Sequence, residues 1–118
     1  MVYTSQEYTT EGKLLVMRLN SNEVDIIKRS FRDQFGKQDH LWLFGSRVND
    51  EARGGDIDLY IETHICNIAE AKEKKFQFLL NLNIQLGEQK IDIIQNILFL
   101  NEDQLIYNIA KKTGILLI

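Results

Sequence analysis

The chain predicts an α/β (α+β) fold, a mixed β-sheet flanked by helices, and three observations carry that expectation. Asp56–Glu62 (DIDLYIE) and Lys90–Gln95 (KIDIIQ) alternate in polarity with the period of a strand. Segments with cap residues and helical spacing lie between and around them. The 118 residues, 44% apolar and without proline, suffice for one core but not for a second substrate-binding domain. Helices alternating with strands pack as layers on a sheet.

Each element has its own local reason. Met1–Gly12 is polar and aperiodic and reads as a loose N-terminal segment, leaving residues 13–118 as a single domain. Lys13–Leu19 is a short apolar run, a strand or a packed lead-in. Asn20, three residues before Glu23, forms a capping box that opens a helix carrying Val24, Ile27, Phe31 and Phe35, with Gly36 as its stop. Leu41–Phe44 (LWLF) is short and wholly apolar, which suits a buried strand with Trp42 and Phe44 in the core. Gly45-Ser46 ends it, a helix start follows, and Asp50–Gly55 is a turn. In Asp56–Glu62 the residues Ile57, Leu59 and Ile61 share one face, and Asp56, Asp58 and Tyr60 share the other. Asn67 with Glu70 caps a long helix to about Leu86, closed by Gly87, whose inner face runs through Ile68, Ala71, Phe78, Leu79 and Leu82. Asn101 caps a last helix carrying Leu105, Ile106, Ile109 and Ala110, and Lys111 and Lys112 complement its negative end. Gly114 stops that helix, and Ile115–Ile118 is a final strand.

Composition excludes several classes of function. Fourteen basic against seventeen acidic residues give a net charge of −3, which disfavours duplex nucleic acid as the main ligand. No apolar run reaches the roughly 20 residues of a membrane span, and the N-terminus lacks a signal-peptide layout. The single cysteine, Cys66, makes no internal disulfide. The expectation is a soluble, cytoplasmic domain.

The chemistry concentrates in Leu41–Glu62. Gly45 at the end of a buried strand lets a ligand approach the backbone, and Ser46 at a helix start stands beside free N–H groups suited to phosphate. Asp56 and Asp58 lie two apart on one strand face, with Cα atoms roughly 6.5–7 Å apart. Carboxylates that close repel unless a cation lies between them, and hard oxygen ligands without nearby His or Cys favour Mg²⁺. Asp92, between Ile91 and Ile93, completes a three-carboxylate cluster if its strand is the neighbour. Such a cluster suits two metal ions for in-line attack at phosphorus. Taken singly, Asp-x-Asp is also the pattern of a solvated sheet face, and Gly-Gly-Asp that of a turn; the combination with Gly45-Ser46 is what points to a site.

Leu43-Phe44-Gly45-Ser46, nine residues, then Asp56-Ile57-Asp58-Leu59 resembles the signature of the nucleotidyltransferase superfamily related to DNA polymerase beta. Gly45-Ser46-Arg47 and the short chain are similar to its minimal nucleotidyltransferase branch, of the antitoxin type that pairs with a helical HEPN toxin. The resemblance implies the polymerase beta-like fold, with Gly45, Ser46 and Arg47 on the triphosphate of ATP or another nucleoside triphosphate. It implies Asp56, Asp58 and Asp92 as catalytic carboxylates on two Mg²⁺ ions. The implied reaction is transfer of a nucleoside monophosphate, AMP from ATP, to a hydroxyl of the HEPN partner. With no length for an acceptor domain, the acceptor is held by that partner or by a second copy. The alternative is a nucleotide-binding module that neutralises its partner by complex formation without turnover.

Other polar residues have ordinary readings. His40 and His64 lack ligand-spaced companions and suit a strand end or the surface. Cys66 has no activating neighbour. Glu70–Lys75 is a solvated helix face. Tyr60 either stacks on a base or packs across the strands.

Overall fold

The structure, a computed structural model, describes residues 6–10, 13–17, 19–45, 57–87 and 89–118. A hairpin of β1 (Gln6–Thr10) and antiparallel β2 (Lys13–Met17) precedes α1 (Ser21–Gln34) and β3 (His40–Phe44). Then come β4 (Ile57–Thr63), α2 (Ile68–Leu86), β5 (Ile91–Ile97), a 3₁₀ turn (Leu98–Leu100), α3 (Leu105–Thr113) and β6 (Ile115–Leu116). The main sheet has the order β5-β4-β3-β6. β3 runs antiparallel to β4 and β6, whereas β4 and β5 are parallel and joined through α2. Among the described residues the fold is therefore α+β, with a four-stranded mixed sheet, a two-stranded hairpin and three α-helices. No helix of the described residues is long and apolar enough to cross a membrane.

Period-two alternation divides the core between the two sheet faces. Leu41, Leu43, Ile57, Leu59 and Ile61 meet Val24, Ile27 and Phe31 of α1 and Phe78, Leu82 and Leu86 of α2. Trp42, Phe44 and Tyr60 point the other way, to Tyr107 and Ala110 of α3. Phe31, Phe35 and Phe78 form an aromatic knot, with ring centroids 4.7, 5.7 and 6.2 Å apart. Truncating one such buried ring costs about 3–5 kcal/mol. On the opposite face α3 comes very close to β3. A Cβ on Gly114 would lie 2.7 Å from the Leu43 carbonyl oxygen and 3.0 Å from Phe44 Cβ, so only glycine fits there.

The cap signals of α1 and α2 are realised. Asn20 Oδ1 accepts the Glu23 N–H at 2.8 Å, and Glu23 Oε1 accepts the Asn20 N–H at 3.1 Å. Asn67 Oδ1 accepts the Glu70 N–H at 2.9 Å. Several expectations need correction. The segment expected to be loose contains β1, whose Tyr8, Thr9 and Thr10 are good strand formers opposite Leu15, Leu14 and Lys13. α1 ends at Phe35, which turns extended and stays buried, while the Gly36 N–H goes to Asp39 Oδ2 at 3.1 Å; the glycine's own flexibility is not the stop. Ile68 is 44% exposed, because the inner face of α2 runs through Ala71, Phe78, Leu82 and Leu86. Asn101 does not cap α3: it closes the 3₁₀ turn in a left-handed conformation, its N–H donating to the Leu98 carbonyl at 3.0 Å. α3 starts four residues later and turns Tyr107 and Ala110 inward, which leaves Leu105 and Ile109 exposed. β6 is shorter than Ile115–Ile118, although Leu117 still donates to the Leu41 carbonyl at 2.8 Å.

Candidate functional site

β3 and β4 are antiparallel, so Gly45, one residue beyond the end of β3, lies beside the first residues of β4. Gly45 has φ +78°, a region where a side chain is strained. A Cβ there would also lie 3.0 Å from Asp58 Cγ and 3.2 Å from Asp58 Cβ. The Asp58 carboxylate therefore lies directly over the glycine, and the two facts together reserve this position for glycine.

β4 and β5 are parallel with Asp58 in register with Asp92. Residues in register on neighbouring strands point to the same face, with main chains about 4.8 Å apart. Asp58 is partly exposed and Asp92 is exposed. The structure thus brings Gly45, Asp58 and Asp92 to one end of the sheet, on the face that carries α3. Ser46, Arg47 and Asp56 lie outside the described residues, as do the helix start after Ser46 and the Asp50–Gly55 turn. Among the described residues no three metal-ligating side chains converge. Two adjacent carboxylates still suit Mg²⁺, which is commonly held by one or two carboxylates, with waters and substrate phosphates completing its octahedron.

Further along the same face the alternation continues into a hydrogen-bonded chain. Tyr60 is fully buried between Trp42 and Tyr107, at ring centroid distances of 5.3 and 5.5 Å. Its hydroxyl donates to Glu62 Oε2 at 2.8 Å and accepts from Asn96 Nδ2 at 3.0 Å. Lys111 Nζ lies 3.1 Å from Glu62 Oε2 and 5.4 Å from the centre of the Trp42 ring. Burial pushes the Tyr60 and Tyr107 hydroxyls above their ordinary range. Of the two readings of Tyr60, the packed one holds: the ring has no exposed surface for a base. Glu62 and Asn96 are polar residues of this face that sequence reasoning passed over. Each continues the every-second-residue series of its strand, Asp58-Tyr60-Glu62 and Asp92-Ile94-Asn96, and that series was the available signal.

The remaining polar residues play supporting parts. His40 stands at the start of β3 with Nδ1 3.1 Å from the Ile118 carbonyl oxygen. Cys66 is exposed, and its thiol donates to the His64 carbonyl at 3.3 Å. At the end of the sheet away from Asp58, Asp39 is buried. It accepts from Thr63 Oγ1 at 2.9 Å, from the His64 N–H at 2.7 Å and from the Gly36 N–H at 3.1 Å. His64 Nδ1 lies 3.2 Å from its Oδ1. A scan against models of known protein families finds no match for this chain, and neither does a search of the curated proteins.

Proposed function

We propose that this protein is an Mg²⁺-dependent nucleotidyltransferase that moves a nucleoside monophosphate, AMP from ATP, onto a hydroxyl of a helical HEPN-type partner as the antitoxin of the pair. The observation that carries the reading is the in-register placement of Asp58 and Asp92 on one face, with Gly45 pressed beneath Asp58. Two carboxylates on rigid neighbouring strands hold hard cations at a fixed spacing. The glycine at the strand end beside them is what lets the Asp58 carboxylate lie against the main chain. Asp58 and Asp92 would hold Mg²⁺ together with Asp56, while Gly45, Ser46 and Arg47 would receive the phosphates.

When bound, Mg²⁺ supplies neutralisation of phosphate charge and a more acidic acceptor hydroxyl. The reaction forms a bond from the acceptor oxygen to the α-phosphorus and breaks the bond to pyrophosphate. The hydroxyl proton passes to a carboxylate of the cluster. Orientation of the acceptor is worth up to roughly 7–11 kcal/mol of a barrier. That orientation is assigned to the partner. Added nucleotide charge near a ribonuclease site would repel the RNA backbone and so silence the toxin.

The test is incubation of the chain with ATP, Mg²⁺ and a HEPN-type protein, followed by mass spectrometry of both. An AMP adduct on the partner that disappears with Asp58→Asn supports transfer. A tight complex without adduct under any nucleoside triphosphate supports neutralisation by binding instead.

A further inference from the structure

We infer that the free edge of β5 is a docking edge for a second copy of this chain, paired antiparallel across a two-fold axis at Ile94. Among the described residues β5 is bonded on one side only, to β4. Ile57 is in register with Ile91, and its N–H donates to the Lys90 carbonyl at 2.9 Å. In a parallel ladder that bond fixes the parity of the whole strand. Asp92, Ile94 and Asn96 turn their main-chain groups toward β4. Ile91, Ile93, Gln95 and Ile97 turn theirs outward, to the open edge.

Open edges are ordinarily blunted by shortness, proline, lysine or a bulge. β6, at the opposite edge of the sheet, is two residues long. β5 runs for seven residues, IDIIQNI, with no lysine, no proline and one charge. About Ile94 this strand matches at its ends, Ile91 answering Ile97 and Asp92 answering the isosteric Asn96, while Ile93 answers Gln95. Antiparallel pairing at Ile94 sets Ile91 opposite Ile97 of the second copy and Ile93 opposite its Gln95. Those are the outward-facing residues, so every outward N–H meets a carbonyl.

Charge fits the same register. Asp92 faces Asn96 of the second copy, a carboxylate opposite an amide. The two Asp92 side chains stand about 14 Å apart along the joined strands, beyond the roughly 8 Å screening length of physiological salt. Any extended peptide would gain the main-chain bonds, but a copy also sets Ile91 against Ile97 and each Asp92 carboxylate against an Asn96 amide, with the two carboxylates apart. The pairing does not depend on the proposed chemistry, although it would border each Asp58–Asp92 pair with the other protomer.

The experiment is amide hydrogen exchange at single-residue resolution on the wild-type chain over a concentration series, alongside sedimentation equilibrium. We expect the mass to rise to twice the 13.8 kDa of one chain. The amides of Ile91, Ile93, Gln95 and Ile97 should gain roughly tenfold protection or more over the same range. The amides of Asp92, Ile94 and Asn96, already in the β4 ladder, should be protected throughout. Gln95→Pro removes an outward donor and the Gln95 Nε2 bond to the Ala71 carbonyl of α2, but no bond to β4, so it should leave a folded monomer. If that variant does not fold, the wild-type exchange pattern decides. A monomer at every concentration overturns the inference, as does a dimer whose outward amides stay unprotected or a folded Gln95→Pro that still dimerises.

Discussion

At one end of the sheet Asp39 is buried at 3% exposure, and Gly36, Thr63 and His64 all turn donors toward its carboxylate. At the other end Asp58 and Asp92 stand side by side on adjacent strands, and Asp92 is exposed. The first carboxylate is committed to the fold, because it ties the end of α1 to the end of β4. The second arrangement sets two carboxylates in register on neighbouring strands, with Asp92 open to solvent. An anionic pair retained on a sheet face invites a cation, whereas a saturated carboxylate has no coordination left to offer. The difference shows that the same residue type is read by its donors and its neighbours rather than by its identity.

Breaking the committed end should have the largest effect. Asp39→Ala leaves the Gly36 and His64 N–H groups and the Thr63 hydroxyl without their acceptor; the Thr63 hydroxyl is buried, and a buried donor so abandoned costs about 1–3 kcal/mol, with less for the two part-buried amides. Denaturant unfolding should show a loss of about 2–3 kcal/mol. A loss under about 1 kcal/mol would erase the contrast between the two ends.

A middle effect is expected between the ends. Tyr60→Phe removes the link between Asn96 and Glu62 and should cost about 1–2 kcal/mol near neutral pH. Its pH dependence has a definite sign. Burial raises the Tyr60 hydroxyl above its ordinary 10.0, so the unfolded chain releases that proton first. The stabilisation is complete below pH about 10 and is lost as pH rises further. Tyr60→Phe should therefore lose less stability than wild type between pH about 9 and 11, measured by denaturant midpoints. An equal loss would assign the alkaline effect to other groups.

Lys111→Ala should cost under about 1 kcal/mol, since its ion pair with Glu62 is half open to solvent, and salt should shrink the effect. The smallest change in stability belongs to the Asp58→Asn, Asp92→Asn double variant. Removing two neighbouring charges while keeping their shape should leave stability unchanged or slightly raised, within about 1 kcal/mol. Unfolding of that variant would make the pair structural, like Asp39.

What the sequence disclosed follows the range of the interactions involved. The capping pairs Asn20–Glu23 and Asn67–Glu70 act over three residues and were legible. So were β4 and β5, because alternation is a property of the strand itself. Asn101 misled because asparagine favours both N-caps and left-handed positions, and the 3₁₀ turn before it decided between them. Asp39 stayed hidden because Thr63 and His64 lie 24 and 25 residues away along the chain. Tyr60 was ambiguous until α3 was seen to cover its face. The carboxylates of the candidate site were legible as residues, but the matching of Asp58 to Asp92 depends on how α2 returns the chain to the sheet.

The most direct test of the central claim is chemical unfolding of the wild-type chain and the Asp58→Asn, Asp92→Asn variant with Mg²⁺, with ATP and with both. The account predicts that the two ligands together stabilise wild type more than either does singly, by about 2.7 kcal/mol at a hundredfold their Kd, and that the variant shows no such gain. Wild type unmoved by Mg²⁺ and ATP, or a variant that responds as wild type does, would contradict it.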